Sequence, residues 1–195
     1  MTPSTHTRPS RKAPFAAALL SFVCLAALAA CGGQPAGDAD DSAPRATRTT
    51  RFTENGVTVT LSVSDWHASQ GTLTAVFTPE AKGFHLYSTD LPPTGIEGVG
   101  RPTAMAVNGV LKAQGRLTAG AEVRSISVPG VDTPVPVYPD GPVTTTLPVR
   151  ADADGDATLL LGYASCSTQD GCTIPVSDRP VHLRVTGDGP AFDAP

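Results

Sequence analysis

Beyond residue 31, apolar residues recur at alternate positions in short runs, and clusters of Gly, Pro, Asn and Asp separate the runs. The clearest case is Val57-Thr58-Val59-Thr60-Leu61-Ser62-Val63, a strict alternation. A repeat of two places every second side chain on one face of a half-buried strand, and no helix can use it. Further runs of this kind cover residues 73–77, 84–87, 103–107, 110–112, 122–128, 135–138, 143–149, 157–164 and 181–185. With 19 glycines and 19 prolines in 195 residues, the chain is interrupted too often for long helices. Many short strands at this spacing predict an all-β fold, an antiparallel β-sandwich. Asn108-Gly109, between two of the runs, predicts a tight hairpin. Pro134 and Pro136 make residues 135–138 an edge piece, because proline cannot donate to a ladder. Trp66, the one tryptophan, is expected in the core or at its rim.

The N-terminus predicts the compartment. Arg8, Arg11 and Lys12 precede an apolar, Ala- and Leu-rich run over residues 15–30, and Cys31-Gly32-Gly33 follows. A basic start, an apolar stretch and small residues are the order of a secretory signal. The run is shorter than the roughly 18 residues a spanning helix needs. Its end, Leu28-Ala29-Ala30-Cys31, resembles a bacterial lipobox, in which the cysteine becomes the lipidated first residue of the mature chain. The expectation is an extracytoplasmic protein anchored through a lipid on Cys31 to a bacterial membrane. Residues 1–30 would be the signal and 31–50 a flexible tether, with so few large apolar side chains that they cannot bury a core. As a coil, that tether would span about 25 Å. The folded domain is expected over residues 51–187, with a loose tail at 188–195.

Charge narrows the partners. The formal net charge is −4, and no basic cluster lies beyond the signal, so nucleic acid is excluded as an expected partner. A monomer is expected.

Cysteine arithmetic then singles out one loop. Cys24 lies inside the signal and Cys31 carries the lipid, which leaves Cys166 and Cys172, with five residues between them. An even number in an exported chain favours a disulfide. Two cysteines supply only half of the four ligands of a structural zinc site. From the spacing alone the bridge reads either as a staple in a binding module or as a redox pair. In a redox pair a thiolate attacks a partner disulfide and the second cysteine resolves the mixed disulfide.

Other motifs are weaker. Asp152-Ala153-Asp154-Gly155-Asp156 lacks the Gly and Glu that a calcium loop places at its sixth and twelfth positions, and reads as a turn. His67, His85 and His182 are scattered without ligand spacing, but His85 and Tyr87 alternate and share a face. Ser165 and Ser167 have no hydrolase context.

Three blocks carry a family resemblance. They are Lys82-Gly83-Phe84-His85-Leu86-Tyr87; Val137-Tyr138-Pro139-Asp140 followed by Leu147-Pro148-Val149; and Leu161-Gly162-Tyr163-Ala164-Ser165-Cys166 through Cys172-Thr173-Ile174-Pro175. In this order the chain resembles the N-terminal (alpha) domain of the DsbD family of thiol:disulfide interchange proteins, over about residues 57–185. The resemblance implies an immunoglobulin-like sandwich with the cysteine pair at its edge. It implies an electron shuttle between a membrane-embedded thiol reductant and thioredoxin-like exported proteins, both met in trans, with no metal or organic cofactor. It implies that Cys172 meets partners, that Cys166 resolves, and that His85 and Tyr87 lie near the pair and shape access to it. The family's cap loop carries an aromatic residue over the disulfide; the corresponding stretch here, residues 129–136, has none.

Overall fold

A computed structural model describes residues 48–193. The signal, Cys31 and nearly all of the expected tether lie outside these residues. In chain order the strands are β1 (Thr49–Glu54), β2 (Val57–His67), β3 (Gln70–Pro79), β4 (His85–Leu86), β5 (Ala104–Gly109), β6 (Leu111–Ala113), β7 (Thr118–Ala119) and β8 (Arg124–Ile126). They continue with β9 (Val135–Val137), β10 (Val143–Ala151), β11 (Gly155–Tyr163), β12 (Ser165–Ser167), β13 (Gly171–Cys172), β14 (Val176–Thr186) and β15 (Gly189–Phe192). Among the described residues there is no helix.

Two antiparallel sheets pack face to face, an immunoglobulin-like sandwich of the class expected from the alternating runs. One has the order β1-β2-β3-β10-β6, with β7 also on β10; the other has the order β15-β14-β11-β5. The alternation in β2 sends Val57, Val59, Leu61 and Val63 inward. They meet Leu159 and Leu161 of β11 and Leu183 and Val185 of β14 in one apolar core. Each such fully buried side chain contributes about 1.5–3 kcal/mol relative to exposure. Phe77 of β3 and Tyr163 of β11 lock the sheets edge to face, with ring centroids 5.5 Å apart. Trp66 is partly buried and packs against this core.

Four local expectations are corrected. Asn108-Gly109 is not a hairpin turn: β5 pairs with β11 in one sheet and β6 with β10 in the other. A type I′ turn needs positive φ at both central residues. Here Gly109 has it, at φ 80°, and Asn108 does not. The chain therefore crosses between sheets and buries Leu111 completely. The run over residues 122–128 forms only the short β8, because residues 122–125 are all exposed and bury nothing. Within the expected tail, residues 189–192 form a strand: β15 pairs with β14 and buries Phe192 fully. At the other end β1 already begins at Thr49, so the folded part starts before residue 51.

A smaller antiparallel assembly sits beside the sandwich and holds the cysteines. Its order is β13-β12-β4, and an isolated bridge between Tyr87 and Val137 joins it to the β8–β9 pair. The register of β11 against β14 shifts between Leu161 and Tyr163, and the chain then leaves the sheet as β12.

Candidate functional site

The alternation of β4, continued by the bridge residue Tyr87, divides the side chains between two interiors. Leu86 points into the main core, and Tyr87 into a second cluster with Leu91, Val135, Val137, Ala164 and Cys166. His85 stands two residues from Tyr87, on the same face. In the register, His85 lies directly opposite Cys166, and Cys166 directly opposite Cys172. One row across three strands therefore reads His85, Cys166, Cys172. Residues paired this way hold their side chains side by side.

Cys166 and Cys172 form a disulfide. Its two sulfurs belong to unequal residues: Cys166 is 4% exposed, whereas Cys172 lies at the exposed edge. The connecting turn is held by Ser167, whose hydroxyl accepts from the amides of Gln169 and Asp170 and donates to the Asp170 carboxylate. Behind it, the Thr173 amide donates to the Ser165 carbonyl, and the Ser165 amide donates to the Thr173 hydroxyl. Opening the S–S bond would leave this hairpin fastened by its own hydrogen bonds.

Tyr87 reaches both sulfurs. Its Oη lies 3.0 Å from Cys166 Sγ and 3.8 Å from Cys172 Sγ. Burial raises the phenol above its usual range, so it keeps its proton and donates. The strand is fixed from behind by Thr103, whose hydroxyl donates to the Tyr87 carbonyl at 2.7 Å. Gly100 lies against the ring: a Cβ there would fall 2.7 Å from it.

His85 is 5% exposed. Its Nδ1 faces Asp140 Oδ1 at 3.7 Å, and its Nε2 is buried with no hydrogen-bond partner. Burial lowers its pKa, and the Asp140 carboxylate offsets part of that. The ring meets Tyr87 edge to face, with centroids 6.1 Å apart. Both rings line a cavity of about 430 Å³ whose floor includes the disulfide.

The lining also includes Val99, Ile126, Val128 and Pro129, aliphatic side chains interrupted by Ser127. Of residues 129–136, Pro129 lines the cavity, and the stretch contains no aromatic residue. Val131 packs into the second cluster, and Glu97 accepts from the amides of Asp132 and Thr133, which ties this loop to its neighbour. Ile174, two residues past Cys172, is 73% exposed. Sequence reasoning missed Val99, Ile126 and Val128 as parts of the site. They come from loops and the end of the three-residue strand β8, where no period marks the facing side.

The remaining candidates lie apart. Asp152 and Asp156 pair with Arg150 and Arg184. His182 meets Thr158. Among the described residues, no group of three or more His, Cys, Asp or Glu side chains is placed to hold a metal ion. Cys31 lies outside the described residues.

No family model matches the chain, and no curated protein does. A solved structure, the N-terminal domain of DsbD from Neisseria meningitidis in its reduced form, is similar over 71% of this chain and 90% of that one. The sequence identity is 16% and the TM-score 0.43.

Proposed function

We propose that the protein performs thiol–disulfide exchange outside the cytoplasm, tethered to a membrane by a lipid on Cys31. The observation that carries this reading is the asymmetry of the pair: one disulfide joins an exposed cysteine to a buried one, and one protonated tyrosine hydroxyl reaches both sulfurs. A staple needs neither feature. Attack on a partner needs an accessible sulfur, and a thiolate is stabilised by a hydrogen bond to it.

The reduced pair would react in two steps. The Cys172 thiolate attacks a partner disulfide, forms a mixed disulfide and expels the partner's other sulfur as a thiolate. Cys166 then attacks Cys172 Sγ, closes the internal disulfide and releases the partner's second thiolate. Two electrons pass from the pair to the partner. Thioredoxin-like exported proteins are the proposed clients, and a membrane-embedded thiol reductant met in trans restores the dithiol. The turn beneath the pair keeps both sulfurs in register through the cycle.

Trapping tests this. With an oxidised thioredoxin-like protein, Cys166→Ser should accumulate a mixed disulfide through Cys172, and Cys172→Ser should accumulate little. If neither variant traps a partner, the bridge is structural and the protein is a binding module. The anchor has its own test: mass spectrometry should find an acylated Cys31 at the mature N-terminus, and an unacylated N-terminus elsewhere would refute it.

A further inference from the structure

We infer that His85 is the base that takes the proton from Cys166 when this sulfur resolves the mixed disulfide; the inference rests on the exchange reading above. Cys166 is almost wholly buried in the floor of the cavity, so its thiol is poorly exposed to water as a proton acceptor. Its direct neighbour across β4 and β12 is His85. Of the residues lining the cavity, His85 alone titrates near neutral pH by its ordinary value. Tyr87 keeps its own proton and serves as a donor to sulfur.

The ring is set up to accept. Nδ1 faces the Asp140 carboxylate, which favours the tautomer with the proton on that nitrogen. Nε2 then carries the lone pair, and it is the buried nitrogen without a partner. In the disulfide form neither sulfur hydrogen-bonds to it; once the bridge opens, the freed Cys166 thiol is the donor on the facing strand that can turn to it. Asp140 is 62% exposed, so a proton gained by His85 has a route to solvent beside that carboxylate. The titratable groups facing His85 are Tyr87 just past its own strand, Cys166 and Cys172 across the sheet, and Asp140 from the turn after β9.

The step balances. In the mixed disulfide, the Cys166 S–H bond breaks and its proton goes to Nε2. The sulfur's electron pair forms the bond to Cys172 Sγ, and the bond from Cys172 to the partner breaks. The partner leaves as a thiolate, and His85 afterwards returns its proton to solvent. A thiol of ordinary pKa, about 8.5, is only a few per cent thiolate at pH 7, so a base in place can speed this step by roughly thirtyfold at most.

The test uses the full chain with Cys24 and Cys31 replaced by serine, reduced, and an excess of the aromatic disulfide 5,5′-dithiobis(2-nitrobenzoate). The exposed Cys172 releases one coloured thiolate, and resolution by Cys166 releases a second, so the two phases report the two steps. The expected result is that His85→Gln lowers the ratio of second to first rate by about tenfold at pH 7. In His85→Ala, added imidazole should restore the second phase. Should His85→Gln fail to fold, the exposed Asp140→Asn serves: the midpoint of the second phase against pH should move down, because the carboxylate that raises His85 is gone. A ratio in His85→Gln equal to that of the parent from pH 5 to 8, or an unmoved midpoint in Asp140→Asn, overturns the inference. The probe needs no protein partner. Failure of the exchange reading appears separately, as no trapped partner in Cys166→Ser.

Discussion

The phenolic oxygen of Tyr87 lies 3.0 Å from the sulfur of Cys166, although 79 residues separate them in the chain. The contact exists because β4 is laid beside β12 and the ring is clamped from behind at Gly100. It places a hydrogen-bond donor where negative charge develops whenever the pair is reduced. Tyr87→Phe keeps the ring and removes the donor. Hydrogen bonds to charged groups contribute about 1.5–3 kcal/mol, so the thiol pKa of the pair should rise by about one unit or more. The rate of iodoacetamide alkylation against pH measures this, and an unshifted profile would show that the hydroxyl does not act on the thiolate.

Gly100 should tolerate no side chain. Its φ is 90°, and an added Cβ would meet the Tyr87 ring and Leu91 at 2.7–2.8 Å. Strain and overpacking together should destabilise Gly100→Ala by about 2–4 kcal/mol in urea unfolding. The alkylation rate of the reduced pair should change with it, because Tyr87 must shift.

The C-terminal strand is part of the core. Phe192→Ala should destabilise the protein by about 3–5 kcal/mol, the usual loss for a buried aromatic ring. Denaturant unfolding checks this; a loss under about 1 kcal/mol would mean that β15 does not hold its place.

Acid should weaken the oxidised protein through His85. Burial sets its folded pKa below the unfolded value of about 6.5, so between the two the unfolded chain binds more protons. Stability is full above pH 6.5, falls as pH drops through the window down to the folded pKa, and then levels off in this contribution. His85→Gln should remove that slope, as measured by urea midpoints from pH 5 to 8.

The sheets were legible because their inner faces are buried and the period of two reports burial directly, as Val57, Val59 and Leu61 do. The cysteine loop was legible from spacing; the alternation of His85 and Tyr87 put them on one face, and their place beside the pair followed only from the family resemblance. Asn108-Gly109 misled because a dipeptide reports local φ preference and says nothing of where Met105 and Leu111 find a core. The tail misled because Gly189 and Pro190 read as loose, while Phe192, a single apolar residue, makes no pattern yet fills the core. The base role inferred for His85 was not legible: it depends on the orphaned Nε2 and on the register against Cys166, which only the folded chain supplies.

The central claim is that Cys166 and Cys172 exchange electrons with other proteins. The reduction potential of that pair, measured in the full chain by equilibration with thioredoxin and with glutathione buffers, tests it most directly. Exchange predicts a potential above about −300 mV and full reduction by reduced thioredoxin at catalytic rates. A potential below about −300 mV, with the bridge untouched by reduced thioredoxin, would contradict the account and leave the disulfide a staple.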